Sequence, residues 1–493
     1  MKIAAPRAYI VGGYVRDRLL GLEPKDRDWV VVGSTPQEML DLGFQQVGAD
    51  FPVFLHPETS EHYALARRER KVRAGHRGFE VDFGPEVTLV EDLRRRDLTI
   101  NAIAMDGDAF IDPHCGRADL GARVLRAVSA SSFADDPLRV VRLARFAARL
   151  PRFEICPATV ELARAAAVEL PTLTPERLFA ETCGALLTLA PSLFFETLRK
   201  VGALEATFPE IARLIGARQH PDYHPEGDAY QHTLMVLGEA AYGRATAPDE
   251  DAHLSAMFAA LYHDVGKGET PAADLPHHYG HEKTGAKIAE RALGRLRAPV
   301  SLTRFVIAAV RNHMRAHRWR ELRAGTVLEV LDEIGALREP ARLSPFLWLA
   351  YADSVGRASQ VDPAQLRERD GFFMSALAAA RSVRGADLVA VGVKPGPNPG
   401  QIGPRLREAR IKAIKARTGA NRESESYWDE PLDGSDLMAI REQGAQAARR
   451  CRSLESNPWR TGTAQAAAWE DGWSAETKRK LEAMLPRQRG GAR

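Results

Sequence analysis

Tyr9-Ile10-Val11-Gly12-Gly13-Tyr14-Val15-Arg16-Asp17, soon followed by Lys25-Asp26-Arg27-Asp28-Trp29-Val30-Val31-Val32, is the stretch that decides the fold class. Two short apolar runs bounded by Gly and Asp turn signals predict strands. Gly12 and Gly13 follow the first strand directly. They let a backbone approach a phosphate closely, and the start of a following helix favours an anion there. Arg16 is placed to clamp a triphosphate oxygen. Alone, this is equally the sequence of an ordinary tight turn. Asp26 and Asp28 stand two apart, so a strand would point both to one face. Paired carboxylates repel unless a cation lies between them, and hard oxygen ligands suit Mg²⁺. Two such ions activate a hydroxyl and hold a triphosphate for in-line displacement. The plain alternative is a charged edge strand facing water.

Outward from this stretch, composition narrows the classes. The chain has 493 residues, 45% hydrophobic and 27% charged, with a net charge of +3. A wholly disordered chain is excluded, and the length predicts several domains. No apolar run reaches the ~18 residues of a membrane span. The first residues carry no apolar stretch of signal-peptide length, so a cytoplasmic location is expected. Four cysteines (Cys115, Cys156, Cys183, Cys451) lie far apart, which argues against a disulfide framework and fits a reducing compartment. The small net charge does not by itself identify a nucleic-acid binder.

Residues 1–122 read as mixed α and β, and the remainder as helical. Residues 216–380 hold 10 of the 14 histidines. Residues 394–404 (Lys-Pro-Gly-Pro-Asn-Pro-Gly-Gln-Ile-Gly-Pro) predict a rigid connector. A short basic helix over 405–417 and a polar linker over 418–435 should follow. The fold class is α+β: a small mixed-sheet head, a helical neck and body, and a further all-helical domain. The expected divisions are 1–122, 123–215, 216–380, 381–421 and 422–493.

More motifs follow the first two in order. They are Arg95-Arg96-Asp97-Leu98-Thr99-Ile100-Asn101 (RRDxxxN), Asp112 to Leu120 (DxxxGxxDL), and Asp135-Asp136-Pro137-Leu138-Arg139, which has Asp where an EDxxR motif has Glu. Together with GGxxRD and DxD, the set resembles the class II tRNA nucleotidyltransferases, the CCA-adding enzymes. It is most similar to the bacterial multifunctional type that carries an HD domain, over residues 1–418. The resemblance implies untemplated addition of C, C and A to tRNA from CTP and ATP, with pyrophosphate released. It implies Asp26 and Asp28 as catalytic Mg²⁺ ligands. It also implies Gly13, Arg16, Arg96, Asp136, Arg139 and Arg142 as nucleotide-binding residues. Asp136 and Arg139 would present an acceptor and a donor fork to the base edge. Cytosine and adenine both answer that pair with an amino donor and a ring-nitrogen acceptor. Asp135 is expected to cap a helix start. Arg139, Arg142, Arg145, Arg149 and Arg152 recur at helical spacing and predict one basic face. Residues 67–77, with six Lys/Arg against Glu69, are a second candidate for phosphate contacts.

Leu261-Tyr262-His263-Asp264-Val265-Gly266-Lys267 places His and Asp inside an apolar run, where both are costly without partners. With His232 before and Asp353 after, the order resembles the HD superfamily of metal-dependent phosphohydrolases. The resemblance implies that His232, His263, Asp264 and Asp353 ligate a metal, with His263 and Asp264 catalytic. His278, His281 and His313 are candidates for a second metal or for phosphate. Imidazole with carboxylate suits a transition metal such as Ni²⁺ as well as Mg²⁺. The implied activities are 2′,3′-cyclic phosphodiesterase, 2′-nucleotidase and phosphatase.

In the tail, Asn457-Pro458-Trp459 and Ala468-Trp469-Glu470-Asp471-Gly472-Trp473 resemble the ribosome modulation factor. That likeness implies ribosome or RNA contact, with Arg449, Arg450 and Arg452 on phosphates. The alternative is a small helical appendage packing its tryptophans on itself. No membrane partner is expected, and a monomer or homodimer fits. Two rivals share parts of the pattern: a bacterial poly(A) polymerase, and a phosphohydrolase whose head only holds tRNA. A third is a non-enzymatic ribosome-associated factor.

Overall fold

The computed structural model of the chain describes residues 7–24, 26–47, 53–71, 79–245, 247–357, 361–386, 402–423 and 474–475. Contacts divide it into two compact units. One holds residues 1–185 with 193–207, and the other 186–192 with 208–493. Of the segment expected as neck and body, 123–215, residues 123–185 and 193–207 fall in the first unit and the rest in the second.

The first unit is built on strands β1 (Arg7–Val11), β2 (Asp28–Val32), β3 (Gln45–Val47), β4 (Val53–Leu55), β5 (His62–Leu65), β6 (Arg67–Lys71), β7 (Phe79–Phe83), β8 (Ala104–Asp106) and β9 (Ala109–Ile111). Seven of them form a sheet in the order β3-β4-β5-β2-β1-β8-β9, while β6 and β7 pair as a hairpin. The sheet is mixed, since β2 runs antiparallel to β1 and parallel to β5. Both apolar runs of the opening stretch are therefore strands, and they are neighbours.

β2 is covered on both faces. Val30 packs with Val11, Leu89, Leu93 and Ala104, while Val31 packs with Met39, Phe54 and Leu65. Alternation puts Asp28 on the Val30 face. Register sets Asp28 opposite Val11 and His62, so its carboxylate stands at the strand end beside Gly12. Gly12 has φ +71° and starts the helix Gly13–Leu19. An added Cβ there would lie 3.0 Å from the Arg96 guanidinium.

The DxxxGxxDL motif fastens this corner. Asp112 accepts the amides of Gly116 and Arg117 at 2.7 and 2.9 Å, capping the helix Gly116–Ala122. Gly116 lies so close to the Thr99 carbonyl that a Cβ would sit 2.2 Å from it. Asp119 accepts the Thr99 hydroxyl at 2.7 Å. Thr99–Asn101 is a 3-10 turn held from behind, and it carries Asn101 toward the helix Gly13–Leu19.

Beyond the sheet the unit is helical, apart from a two-residue parallel pairing of 124–125 with 154–155. The basic stripe lies on the helix Leu138–Arg149. That helix ends at Arg149, so Arg152 falls outside it and the expected face stops one member short. Residues 72–78 of the basic loop lie outside the described residues. Arg68 of that loop pairs with Glu91 at 2.9 Å and with Asp82 at 3.4 Å.

Among its described residues the second unit is built of helices joined by loops, including Ala229–Ala241, Glu250–Tyr262, His281–Arg295, Val300–His317, Leu343–Val355 and Pro363–Ser382. The basic helix expected at 405–417 runs from Ile402 to Glu423, into the expected linker. Pro404 is tolerated in a first turn, and the Ala, Arg and Lys that follow are good helix formers. Ile414 is fully buried. Most of the connector 394–404 and, apart from 422–423 and 474–475, the tail 422–493 lie outside the described residues. No described helix is long and apolar enough to cross a membrane.

Asp97 joins the parts of the first unit. It is buried, accepts Asn101 Nδ2 at 2.9 Å and Arg142 Nε at 2.8 Å, and caps its neighbour Leu98 at 2.8 Å. Burial works to raise its carboxyl, but the Arg142 charge and these hydrogen bonds hold it well below the ordinary range. A depressed carboxyl contributes stability above its unfolded pKa, and that stability is lost as pH falls through the folded value. Asp97→Ala should cost about 3 kcal/mol, because it strands buried donors. Denaturant unfolding checks this, and Asp97→Asn should flatten the acid limb below about pH 4.

Candidate functional site

The first unit holds a cleft of about 490 Å³ lined by Gly12, Gly13, Asp28, Asp97, Asn101, Asp136, Phe146 and nine arginines. Of the residues singled out in sequence, Gly13, Arg16, Asp28, Arg96, Asp136, Arg139 and Arg142 all line it. Asp26 is exposed at the approach to β2. Burial pushes the Asp28 carboxyl up, Arg96 and His62 oppose the rise, and Asp26 adds to it by like-charge repulsion. Asp28 thus feels the Asp26 charge, and a divalent cation at Asp28 would relieve it. That donor set of oxygens fits Mg²⁺.

The arginines are held before any ligand arrives. Arg16 is buried, and burial lowers its pKa from the usual guanidinium value despite the Asp17 charge beside it. It donates to Asn101 Oδ1 at 2.7 Å and to Asp17 at 2.8 and 2.9 Å. Arg149 holds the other Asp17 oxygen at 2.8 Å. Arg95 and Arg96 share the buried Asp92 at 2.7 and 3.1 Å. Arg145 is fixed by Glu181 at 2.5 Å. Carboxylates on the protein side leave the remaining N–H groups and the net positive charge for an anion.

Asp136 and Arg139, expected from sequence to read the base, sit at the start of the helix Leu138–Arg149. Asp136 Oδ1 accepts the Leu138 amide at 3.1 Å, and Oδ2 accepts Arg177 Nη2 at 2.7 Å. Arg139 is buried and donates to the Ser132 carbonyl at 2.8 Å. The expected cap is therefore corrected: Asp136 occupies the amide, while Asp135 accepts only the Ser131 hydroxyl at 2.9 Å. Asp135 closes the short preceding helix, Ser132–Asp135. Arg177 was missed in sequence. It comes from the helix Pro175–Leu186, and no local pattern links it to Asp136.

The second unit gathers its histidines around Asp264. His232 Nε2 lies 3.3 Å from His263 Nε2 and 3.2 Å from Asp353 Oδ1. His281 Nε2 lies 3.3 Å from His313 Nε2 and 3.2 Å from Asp264 Oδ1. The other oxygen, Asp264 Oδ2, lies 3.2 Å from His263 Nε2. Asp264 thus stands between two triads, His232–His263–Asp353 and Asp264–His281–His313, all buried.

The tautomers are set from outside. His263, His281 and His313 each donate Nδ1–H to a backbone carbonyl, of Ala260, His278 and Val310, at 2.7–2.8 Å. His232 Nδ1 lies 2.9 Å from Glu226 Oε1. In the neutral rings that bind metal, each Nε2 is then a lone pair turned inward. Two facing lone pairs at 3.3 Å cannot bond each other, and a shared cation satisfies them. The residues present therefore fit divalent metal.

Charges nearby complete the site. Burial opposes ionisation of Asp264 and Asp353, but Lys267 holds the first and His317 the second well below the ordinary range. Lys267 Nζ lies 2.5 Å from Asp264 and donates to Gln219 at 2.6 Å. Burial works against charge on His263 as well, yet Asp264 raises it above the usual imidazole value. His278 is the exception among the candidates. Its Nδ1 meets the Thr270 hydroxyl at 2.7 Å and its Nε2 meets the Arg218 carbonyl at 2.9 Å, so both ring nitrogens are used in the protein. Sequence reasoning missed Glu226 and His317. His317, four residues after His313, was detectable by helical spacing.

Comparison with known proteins gives three family models along the chain. They are the poly A polymerase head domain over residues 8–126, the probable RNA and SrmB-binding site of polymerase A over 152–215, and the HD domain over 229–354. The multifunctional CCA protein of Thioalkalivibrio sulfidiphilus is 47% identical over 414 residues, covering 83% of this chain and 98% of that protein. That of Methylococcus capsulatus is 49% identical, covering 83% and 94%. The crystal structure of the Bacillus stearothermophilus CCA-adding enzyme in complex with CTP matches with a TM-score of 0.56 at 21% identity, over 85% of this chain and 90% of that one. The Thermotoga maritima CCA-adding enzyme complexed with tRNA matches at 0.52 and 20%, over 84% and 87%. At these identities the structures establish the fold.

The geometry separates the histidines. His313→Ala should weaken divalent-ion binding about tenfold or more, whereas His278→Ala should leave it within about twofold, as read by metal titration of the full chain with elemental analysis. Equal losses in both would place His278 among the ligands.

Proposed function

The chain belongs to the multifunctional CCA proteins, and we propose that it adds and repairs the 3′-terminal CCA of tRNA without a template, using CTP and ATP. The observation that carries this is one cleft in which Asp28, the arginines and the Asp136–Arg139 pair meet. The 3′-hydroxyl of tRNA loses its proton and forms a bond to the α-phosphorus. The bond from that phosphorus to the bridging oxygen breaks, and pyrophosphate leaves. Mg²⁺ held by Asp26 and Asp28 would supply hydroxyl activation and charge neutralisation. Gly12 and Gly13 let the triphosphate approach the start of the helix Gly13–Leu19. Arg16, Arg96 and Arg142 hold it, each already oriented by Asn101, Asp92 or Asp97. Asp136 and Arg139 read the base edge, with Arg177 fixing the Asp136 carboxylate.

We assign 1–122 to nucleotidyl transfer, 123–215 to base reading and tRNA holding, 216–380 to phosphohydrolysis, 381–421 to a connector and 422–493 to a C-terminal extension. In the histidine site, His232, His263, Asp264 and Asp353 hold a divalent metal such as Ni²⁺ or Mg²⁺, and His281 and His313 extend it. Bound metal would lower the pKa of water for attack on phosphorus. The activities that follow are 2′,3′-cyclic phosphodiesterase, 2′-nucleotidase and phosphatase. A tRNA ending in a cyclic phosphate has no free 3′-hydroxyl, so this site would clear ends for the head to rebuild. The extension, by its tryptophan and NP patterns alone, is proposed to dock on ribosomal RNA.

A tRNA transcript lacking CCA, given CTP, ATP and Mg²⁺, should gain C, C and A and then stop. Asp28→Ala should lower the rate about a thousandfold or more, the scale of losing a metal's transition-state stabilisation. A long A ladder would instead make the protein a poly(A) polymerase. With a cyclic-phosphate-ended tRNA, His263→Ala should block repair while leaving extension of hydroxyl-ended tRNA intact. Equal repair by both proteins refutes the coupling. Deleting 424–493 should lower co-sedimentation with ribosomes, and unchanged sedimentation removes the docking role.

A further inference from the structure

Two loops flank the histidine site, and each carries exposed rings that neither metal binding nor hydrolysis uses. Residues 218–228 bring His220 and Tyr223, and residues 270–280 bring His277 and Tyr279. The rings form a continuous series. Tyr223 lies 5.3 Å from His220, His220 6.2 Å from His277, and His277 5.8 Å from Tyr279 with the last two nearly parallel. Tyr279 is 84% exposed and Tyr223 65%. Large rings held in water are informative in a way that a lone exposed Leu is not.

The loops are anchored to the site and to each other. Gln219, next to His220, accepts from Lys267, which lies against Asp264. His224, next to Tyr223, meets the His232 ring edge-on at 4.8 Å. Tyr279 stands two residues before His281. His278, between His277 and Tyr279, ties its own loop to the other through the Arg218 carbonyl. A ring that packs no core thus sits on a scaffold fixed within a few residues of the metal-ligand candidates on both sides.

We infer that this rim is a stacking platform for the terminal nucleobase of an RNA whose phosphate lies at the histidine–aspartate cluster. The inference rests on reading that cluster as a phosphohydrolase site. An aromatic face accepts any base and adds affinity without sequence choice. It makes the substrate a nucleotide end of any sequence rather than a bare phosphate ester.

The full chain with Ni²⁺ would be assayed on two phosphomonoesters, adenosine 2′-phosphate and β-glycerophosphate. Tyr279→Ala and Tyr223→Ala should each lower the ratio of kcat/KM for the first over the second by about fivefold or more, through KM, as loss of one stack requires. Tyr279→Trp should keep the ratio. An unchanged ratio in both alanine variants overturns the platform. A second readout needs no turnover: an oligoribonucleotide ending in 2-aminopurine 3′-phosphate, whose fluorescence is quenched by stacking. Quenching should weaken in Tyr279→Ala and return in Tyr279→Trp. Binding to the head is a background common to all three proteins. If neither ester is hydrolysed, the phosphohydrolase reading fails, and the quenching alone decides the platform. Equal quenching in wild type and Tyr279→Ala overturns it.

Discussion

A buried carboxylate organises the head. Asp97 receives Asn101 and Arg142, Asn101 receives Arg16, and Arg16 is paired with Asp17, which Arg149 also holds. Three sequence motifs therefore converge on one hydrogen-bonded network: GGxxRD, RRDxxxN and the arginine helix after Asp135-Asp136. A charge in low dielectric costs several kcal/mol unless it is paired and its remaining lone pairs are used. Asp97 meets both conditions, and in doing so fixes the relative positions of the glycine turn and the helix Leu138–Arg149. The DxxxGxxDL segment supports the same node from behind by clamping Thr99.

The second unit solves the reverse problem. Its centre is rich in imidazoles whose Nε2 atoms point at one another. Backbone carbonyls take the Nδ1 protons of His263, His281 and His313, and Glu226 lies 2.9 Å from His232 Nδ1, so ring orientation is fixed by the protein and not by the ligand. Glu226 is held down to about 2 against its burial, chiefly by His232 and its own backbone amide. It therefore stays an acceptor across the neutral range and keeps the His232 tautomer. The two units share a logic in which partners on the protein side preset the polar groups that face the cleft or the cluster. In one the preset groups are guanidinium donors, and in the other they are imidazole nitrogens.

The strands β1 and β2, the helical remainder and the cluster of His232, His263, Asp264 and Asp353 were legible because each is written in local periodicity or short spacing. The expectation that a strand would set Asp26 and Asp28 on one face does not hold, because β2 begins at Asp28 and Asp26 lies before it. What was not legible depends on contacts between distant segments. Arg177 reaches Asp136 from another helix, and Glu226 reaches His232 from a loop. The role of Asp135 was misread because the helix begins at Leu138, with Pro137 at its N-cap two residues after Asp135. His278 was a candidate for a second metal or for phosphate beside His281 and His313. Its ring is turned by Thr270 and Arg218, which no pattern in the chain announces.

Affinity and selectivity in the nucleotide cleft fall to different residues on the proposed reading. Nine arginines against three carboxylates attract a triphosphate whatever its base. Such charge cannot choose cytosine or adenine over guanine or uracil. The choice must come from groups whose donors and acceptors are fixed relative to one another. Asp136 and Arg139 meet that requirement because each already spends part of its capacity on the protein, Asp136 on the Leu138 amide and Arg177, Arg139 on the Ser132 carbonyl. A pair free to rotate would accept any base edge. A pair fixed to one backbone turn accepts only an edge with the matching order of donor and acceptor, and moving that turn as a unit is the simplest way to change from C to A.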